Sequence, residues 1–535
     1  MFARRLLLAV MLVGLVFVSC RKGTPTTCEG WAKLLKSPAR SRDAIKRIGD
    51  LGTSCKAQVK DLEAIFEQSP FKEDILQTVR QIRAPEESVG ILTKALNLPH
   101  TAVLAAAVAE EVPSPNLKPA LLEILTTGKA LQARENALKA LIAIEKGDMR
   151  AHEDLLIKLL RTDPDVHGIG VNSLAARLLG EMRSEKATND LIVAMFLRSQ
   201  RGGQLYTPVR LALAKIGKPA VAPLVAIVTG KEEGFKALFD DLRDTAKREG
   251  LFDWQWQEGP EVVQVLYDIA DKDSAAAFAE CLAKPLNPPV GVDDRVLRLW
   301  QVAQQNRITM CMMGLWKVGD ASVIPKLLKV ILDPENDAKQ RLDTASAVAL
   351  LPDSVGVSAV LDVYRKTKDS RFRAPLVKPI ILGLDWAHLK EWQALAAAEK
   401  SELVRERLEG DAPEAQEYTE TMKVLKECAE GDTDCVIAKF KDGSIFERIK
   451  AAILLGSTRK VDREKALSAL LEVYPTVNPT SVDLRRFILL SIYRLGDKNT
   501  VPHLQRLLKA DKERKGAIYW VEELETLIPT MERKG

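Results

Sequence analysis

Apolar residues recur along this chain at the spacing of one face of an α-helix. In residues 209–228, Val209, Ala212, Leu213 and Ile216 stand at positions i, i+3, i+4 and i+7, which predicts a helix. Gly217 then breaks the pattern, and a second run with the same spacing follows it. The spacing therefore predicts two helices joined by a short turn, each with one apolar face that must be covered.

The same helical hairpin recurs over most of residues 40–510. The copies share a small or apolar first helix and a Gly or Asp at the turn, and they begin at Ala44, Ala102, Glu135, Ser173, Met310, Arg448 and Phe487. Of the presumed turn glycines, Gly147, Gly180 and Gly217 lie 33 and 37 residues apart, and Gly456 and Gly496 lie 40 apart. A period in this range is typical of repeat proteins.

These stretches resemble HEAT repeats of the short bacterial type, whereas the tetratricopeptide and ankyrin patterns are missing from the sequence. The resemblance implies an all-α fold, an α-solenoid of about a dozen stacked helical hairpins forming a HEAT-like superhelix. In such a solenoid each repeat packs only against its neighbours and the concave face forms a long groove.

Three stretches break the rhythm: residues 229–260, 284–308 and 397–416. Each is either an irregular repeat or an insertion on a binding face. We divide the chain into a signal peptide (1–19), an anchor and linker (20–39), N-terminal repeats (40–230), irregular repeats (231–308), central repeats (309–396) and C-terminal repeats (397–535).

The N-terminus has the pattern of an export signal. Arg4 and Arg5 precede a 14-residue apolar stretch, Leu6 to Ser19, and Cys20 follows directly. The apolar stretch is shorter than the roughly 20 residues that a membrane-spanning helix needs. We therefore expect export rather than a membrane span.

The end of this stretch, "VFVSC", resembles the lipobox of bacterial lipoproteins, with Phe17 where that family usually has Leu. The resemblance implies that Cys20 becomes the first residue and carries a thioether-linked diacylglycerol and an acylated amine, two signals that anchor a protein firmly. Arg21 in second place is compatible with an outer-membrane location facing the periplasm. Ordinary secretory cleavage, giving a secreted or soluble periplasmic protein, is the alternative.

Charge gives little indication of a partner. The chain has 78 Lys and Arg against 73 Asp and Glu, a formal net charge of +5. Basic residues are interspersed with acidic ones, as on solvated helix faces. We therefore expect no nucleic-acid partner.

Six cysteines remain when Cys20 is set aside, an even number that suits disulfides in an exported protein. In "CAEGDTDC", Cys428 ends one predicted helix and Cys435 begins the next, so a disulfide there would staple a hairpin. Cys28 and Cys55 are the next candidate pair. For Cys281 and Cys311, on apolar faces, a disulfide and inert buried thiols both remain open.

The sequence shows no catalytic, cofactor or metal motif that we can assign. Its five histidines are scattered over separate repeats, and phosphate-binding loops and nucleophile elbows are missing. Asp163, Asp165 and His167 alternate in "TDPDVHGIG", which we interpret as an inter-repeat loop rather than a metal site. Trp254 and Trp256, in the first irregular stretch, suit either the local core or a partner contact.

The sequence therefore favours a non-catalytic protein-interaction scaffold, anchored to the envelope by a lipid and holding a protein partner in its groove. This step from fold to function is an analogy. The alternative is an enzyme or enzyme-associated factor, bilin-lyase-like or hydrolytic, with its site in the irregular stretches. The export signal disfavours the bilin-lyase reading, because such lyases are expected in the cytoplasm.

Overall fold

A computed structural model describes residues 24–199, 201–231, 237, 259–284, 288–457 and 461–534. Regular structure in these residues is helical, apart from one antiparallel bridge between Arg198 and Gln204. Two compact units are present, residues up to His152 with Val166–Val171, and Glu153–Asp165 with the chain from Asn172 onward. The predicted fold class, an all-α solenoid of helical hairpins, is confirmed.

The helices up to residue 152 are α1 (Cys28–Ala32), α2 (Ser41–Leu51), α3 (Val59–Phe66), α4 (Lys72–Ile82), α5 (Val89–Leu96), α6 (Ala102–Glu111), α7 (Lys118–Thr127) and α8 (Leu131–Ile144). They are followed by α9 (Glu153–Arg161), α10 (Pro164–His167), α11 (Ile169–Glu181), α12 (Thr188–Ala194), α13 (Tyr206–Ile216) and α14 (Val221–Val228).

The next helices are α15 (Pro260–Ile269), α16 (Ala275–Ala283), α17 (Asp294–Val318), α18 (Ile324–Leu332), α19 (Ala338–Ala349), α20 (Val355–Lys366), α21 (Ser370–Gly383) and α22 (Trp386–Ala397). The last are α23 (Glu402–Leu408), α24 (Pro413–Glu427), α25 (Thr433–Asp442), α26 (Ile445–Leu455), α27 (Arg463–Val473), α28 (Val482–Leu495), α29 (Val501–Lys512) and α30 (Ile518–Glu532).

A recurring turn joins the two helices of a hairpin. Asp271, Asp320 and Asp497 each accept a hydrogen bond from the backbone N–H two residues on, at 2.8–2.9 Å. Each opens a single 3₁₀ turn that runs directly into the second helix. A short carboxylate side chain mimics a backbone acceptor in this position, which explains the "GD" and "AD" pairs at the predicted turns.

Two of the predicted turn glycines have different roles. Gly217 has φ of +78°, a conformation that favours glycine, and it separates α13 from α14 as predicted. Gly180 lies inside α11 instead, and the positive φ of that turn, 52°, falls on Arg183. A Cβ on Gly180 would lie 2.6 Å from Cα of Ala212, so this glycine permits close packing of α11 against α13.

The predicted irregular stretch 284–308 is irregular only before residue 294. Residues 294–318 form one 25-residue helix, α17, capped by the side chain of Asp293. The boundary drawn between residues 308 and 309 therefore falls inside a continuous helix. The signal peptide, Cys20, Trp254 and Trp256 lie outside the described residues.

The expectation that each repeat packs only against its neighbours is wrong for the second unit. Helix α30 packs against α13 and α15, α28 packs against α17, and α26 packs against α21. The later a helix stands in residues 413–534, the earlier its partner stands in residues 206–383. Residues 413–534 therefore run back, antiparallel, along the helices of residues 206–383. The irregular stretch 397–416 lies between the two runs, and the returning helices contact α13, α15, α17 and α21.

Two cations, one fully buried and one partly buried, bind across the two runs. Nζ of Lys450 in α26, which is fully buried, donates to the carbonyl oxygens of Ile381, Leu382 and Leu384 at the end of α21, the first two at 2.8 and 2.9 Å. Arg494 in α28 donates to Trp316 O at 2.6 Å, at the end of α17. A helix C-terminus carries partial negative charge and unpaired carbonyls, both of which a cation satisfies.

Within the described residues, no single helix is long and apolar enough to cross a bilayer. The pair Tyr206–Ile216 and Lys218–Val228 reaches that length and composition jointly, but it is bent by 115°. Many of its apolar residues, such as Val209, Leu213 and Leu224, are fully buried in the unit.

Candidate functional site

The structure joins the six described cysteines in three pairs. Cys28 pairs with Cys55, Cys281 with Cys311, and Cys428 with Cys435, with Cα–Cα distances of 5.3, 6.4 and 5.6 Å. Cys428 lies just after α24 and Cys435 in the first turn of α25, so that disulfide staples a hairpin. The pair that the sequence left open, Cys281 and Cys311, connects α16 to α17.

Of the alternating residues, Asp163 directly precedes the four-residue helix α10 (Pro164–His167), Asp165 lies within it and His167 is its last residue. Asp163 accepts a hydrogen bond from the backbone N–H of Asp165, and Asp165 accepts one from the hydroxyl of Ser199. In the part of the chain that the structure describes, no group of three or more His, Cys, Asp or Glu side chains is arranged to hold a metal ion.

The most concentrated group of buried charges lies where α30 meets α13 and α15. Arg210 donates to both carboxylate oxygens of Asp268, at 2.6 and 2.9 Å, and to Glu523 Oε1 at 2.8 Å. These three side chains are 4, 0 and 5% exposed. Thr526 and Thr530 of α30 also donate to Asp268. We call Arg210, Asp268 and Glu523 the ionic junction; its role is to fix α30, since its charged atoms are already paired.

The ammonium of Lys317 lies beside the ionic junction. It donates to the carbonyl oxygen of Tyr267 at 3.0 Å and lies 4.3 Å from the centre of the Tyr267 ring. Burial lowers the pKa of Lys317 to about 8, against the opposing effect of Asp268. Burial likewise lowers the pKa of Lys450 to about 7 and that of Lys534 to about 8.

These three lysines predict a pH dependence of stability. Their folded-state pKa values lie below the ordinary 10.5, so between about pH 7 and 10 the unfolded chain binds more protons than the folded chain, and stability rises with pH. We expect the free energy of unfolding in urea to increase from pH 7 to about pH 9.5 by on the order of 2 kcal/mol for each of the two fully buried lysines, Lys317 and Lys450. The increase should shrink in Lys450→Met; a decrease with pH in the unmodified chain would contradict the assignment.

A cleft of about 550 Å³ lies between α16, α17 and the start of α19. Its floor is apolar and includes Leu282, Ile308 and the Cys281 side of the disulfide, and Trp300 forms part of its wall. We call this space the amide cleft, because four glutamines line it: Gln301, Gln304, Gln305 and Gln340.

The glutamines of the amide cleft differ in what they bind. Gln340 donates to the carbonyl oxygens of Leu282 and Ala283, at 2.9 and 3.2 Å, and so closes one end. Gln301 and Gln305 are exposed and one helical turn apart, and their side-chain amides make no hydrogen bond within the described ranges. Each offers one acceptor and two donors, the complement of a peptide group.

Apolar residues are exposed on the first half of α17 and in the segment before it. Leu299 and Val302 on α17 are 49 and 61% exposed, and Val290 and Val292 are 99 and 38% exposed. None of these four residues lines the amide cleft, and single exposed apolar residues need no explanation.

Sequence reasoning missed the amide cleft and the ionic junction. The segment "WQVAQQNR", residues 300–307, falls within the stretch 284–308 that breaks the rhythm of the repeats. The signal that could have indicated a cleft was its composition, one tryptophan among several amide side chains. For the ionic junction the signal was Arg210 in an apolar helical face, but nothing local indicated acidic partners 58 and 313 residues away.

Comparison with known proteins adds little. No family model and no curated protein matches the chain. Among solved structures, a crystal structure of a Kap121p mutant matches 95% of this chain and 67% of that chain, with 12% sequence identity and a TM-score of 0.24. Similarity at this level carries no argument about function.

Proposed function

We propose that this protein is a non-catalytic interaction scaffold that is anchored to a bacterial cell envelope through a lipid on Cys20 and binds a segment of a protein partner in the amide cleft. The observation that carries the proposal is the pair of exposed, unbonded amides of Gln301 and Gln305 above an apolar floor. An extended peptide has a donor and an acceptor at every residue, which two amides one turn apart can bind.

The amide cleft replaces the groove as the proposed binding surface. Helices α13, α15, α17 and α21 contact helices of residues 413–534, which leaves less of this face for a partner. The cleft lies on α16, α17 and α19.

The anchor is tested by Cys20→Ala. A chain without this thiol cannot receive the thioether-linked lipid, so we expect the protein to move from the membrane fraction to the soluble fraction of cells that export it. Cys28→Ala is the matched control, because it lies eight residues on and leaves the lipobox intact. A Cys20→Ala chain that stays in the membrane fraction would contradict the lipid anchor.

The binding surface is tested by placing a photo-crosslinking amino acid at Gln301 in the full chain. We expect adducts that map to one short segment of one partner. A synthetic peptide of that segment should then bind the unmodified chain at least tenfold more tightly than Gln301→Ala/Gln305→Ala, because the variant loses both amide contacts. The same crosslinker at Lys509, exposed on α29, is the control. Equal adduct yields at the two positions, or equal peptide affinity, would refute the proposal.

A further inference from the structure

A second cavity, distinct from the amide cleft, lies at the junction of α13, α15, α17 and α30. Its volume is about 280 Å³, just below the roughly 300–1,000 Å³ of sites for drug-sized ligands. Gln204 and Asn306 line it and are exposed, so a small molecule can enter there without unfolding a helix. We call it the junction cavity.

One carboxyl oxygen that lines the junction cavity has no hydrogen-bond donor among the described residues. Oε2 of Glu261 is buried and makes no hydrogen bond within the described ranges. Burial raises the pKa of Glu261, and the charge of Arg198 acts in the opposite direction. A buried acceptor without a donor costs free energy, and a ligand that brings a donor to this oxygen recovers that cost.

A positive group lines the same cavity. Arg198 faces it from the hairpin that precedes α13. Arg198 and Glu261 interact electrostatically but form no ion pair among the described side chains. The cavity therefore presents a guanidinium and a carboxyl that face one space without neutralising each other by contact.

The rest of the lining is aromatic and apolar. Phe196, Tyr206 and Tyr519 contribute rings, and Met195 and Met310 contribute thioethers. Burial raises the pKa values of both tyrosines, so their phenols are neutral at ordinary pH. Aromatic rings attract an ammonium group, and they also cover an apolar side chain.

We propose that the junction cavity binds a free α-amino acid with an apolar or aromatic side chain. Its ammonium group donates to Oε2 of Glu261, its carboxylate pairs with the guanidinium of Arg198, and its side chain packs among the rings and thioethers. Two adjacent opposite charges on one small ligand match two opposite charges that line one cavity without touching. This site is independent of the proposed scaffold function, because it uses no residue of the amide cleft.

The test is isothermal titration of the full chain with three matched probes. L-phenylalanine carries both charged groups, 2-phenylethylamine lacks the carboxylate, and 3-phenylpropionate lacks the ammonium. We expect L-phenylalanine to bind at least tenfold more tightly than either analogue and to raise the melting temperature. No binding of L-phenylalanine at millimolar concentration, or equal binding of 2-phenylethylamine, would overturn the proposal.

Variants assign the binding to the cavity. Glu261→Gln keeps the size of the side chain, and we expect it to weaken L-phenylalanine binding at least tenfold with an unchanged circular dichroism spectrum. Arg198→Met should weaken L-phenylalanine while leaving 2-phenylethylamine unchanged. Glu472→Gln, on an exposed residue of α27, is the control and should bind as the unmodified chain does. Full affinity in Glu261→Gln would place the ligand elsewhere and overturn the assignment.

Discussion

Replacing Arg210 by methionine is expected to lower the free energy of unfolding by about 3–5 kcal/mol. The substitution leaves Asp268, which is fully buried, and Glu523, which is 5% exposed, without their cation. The helix that depends on this pairing is α30, so its amide protons should exchange with solvent faster than those of the other helices. Urea unfolding measures the first effect and site-resolved hydrogen exchange the second.

A matched control, Arg183→Met, distinguishes the effect of losing a buried ion pair from that of losing an exposed one. Arg183 also binds an acidic residue of α30, Glu532, at 2.9 Å, but these side chains are 52 and 40% exposed. Exposed pairs contribute less than about 1 kcal/mol, so Arg183→Met should leave both readouts nearly unchanged. Similar losses in the two variants would contradict the role of burial at the ionic junction.

A third variant identifies why Arg210→Met loses stability. If the loss comes from uncompensated carboxylates, Arg210→Met/Asp268→Leu/Glu523→Leu should recover much of the stability, since apolar replacement of a whole buried ionic group is often neutral or stabilising. A further decrease in the triple variant would indicate that the hydrogen bonds themselves hold α30.

Removing the disulfide between Cys281 and Cys311 is expected to be the second large effect. The two cysteines are 30 residues apart, and the chain-entropy argument gives about 3.5 kcal/mol for a loop of that length. For Cys428 and Cys435, which are 7 residues apart, the same argument gives about 2.5 kcal/mol. Urea unfolding of Cys281→Ala/Cys311→Ala and of Cys428→Ala/Cys435→Ala should therefore rank them in that order.

The disulfide variants also bear on the amide cleft. Cys281 lines the cleft and connects α16 to α17, so its loss should loosen the cleft while Cys428→Ala/Cys435→Ala should not. Before these variants are compared, mass mapping without reductant should show that Cys281 and Cys311 are joined in the native protein. Free thiols at residues 281 and 311 in the native protein would contradict this disulfide.

The helical hairpins could be predicted because each depends on nearby residues. The spacing of Val209, Ala212, Leu213 and Ile216 places one apolar face on one helix, and Gly217 ends it with a positive φ. The sequence also indicated the Cys428–Cys435 staple, since both cysteines flank one turn. Such features require only the geometry of a single helix or turn.

The return of residues 413–534 along residues 206–383 could not be predicted in this way. A helical face that packs on its neighbour and one that packs on a distant repeat have the same apolar spacing. The residues that mark the distant contact, such as Lys450 and Arg494, are cations within apolar faces, and sequence alone suggests that they extend into water. Their partners are mostly backbone carbonyls, which carry no sequence signal.

The amide cleft was hidden for a related reason. Helix α17 is solvated on several faces near Gln301 and Gln305, so its first half lacks the apolar stripe that identifies a packed helix. The pairing of Cys281 with Cys311 stayed open because it depends on a Cα–Cα distance, 6.4 Å, that only the packing of α16 on α17 determines.

The central claim is that α30 packs against α13 and closes the second unit. Oγ1 of Thr207 in α13 and Oε1 of Glu522 in α30 lie 3.5 Å apart, so a short thiol-to-thiol crosslinker should join the cysteines of Thr207→Cys/Glu522→Cys, detected by mass mapping. Thr207→Cys/Glu472→Cys is the control, because Glu472 binds Lys441 of α25 instead. The account predicts a crosslink in the first variant and none in the second. Free, alkylatable cysteines at positions 207 and 522 after treatment with the crosslinker would contradict it.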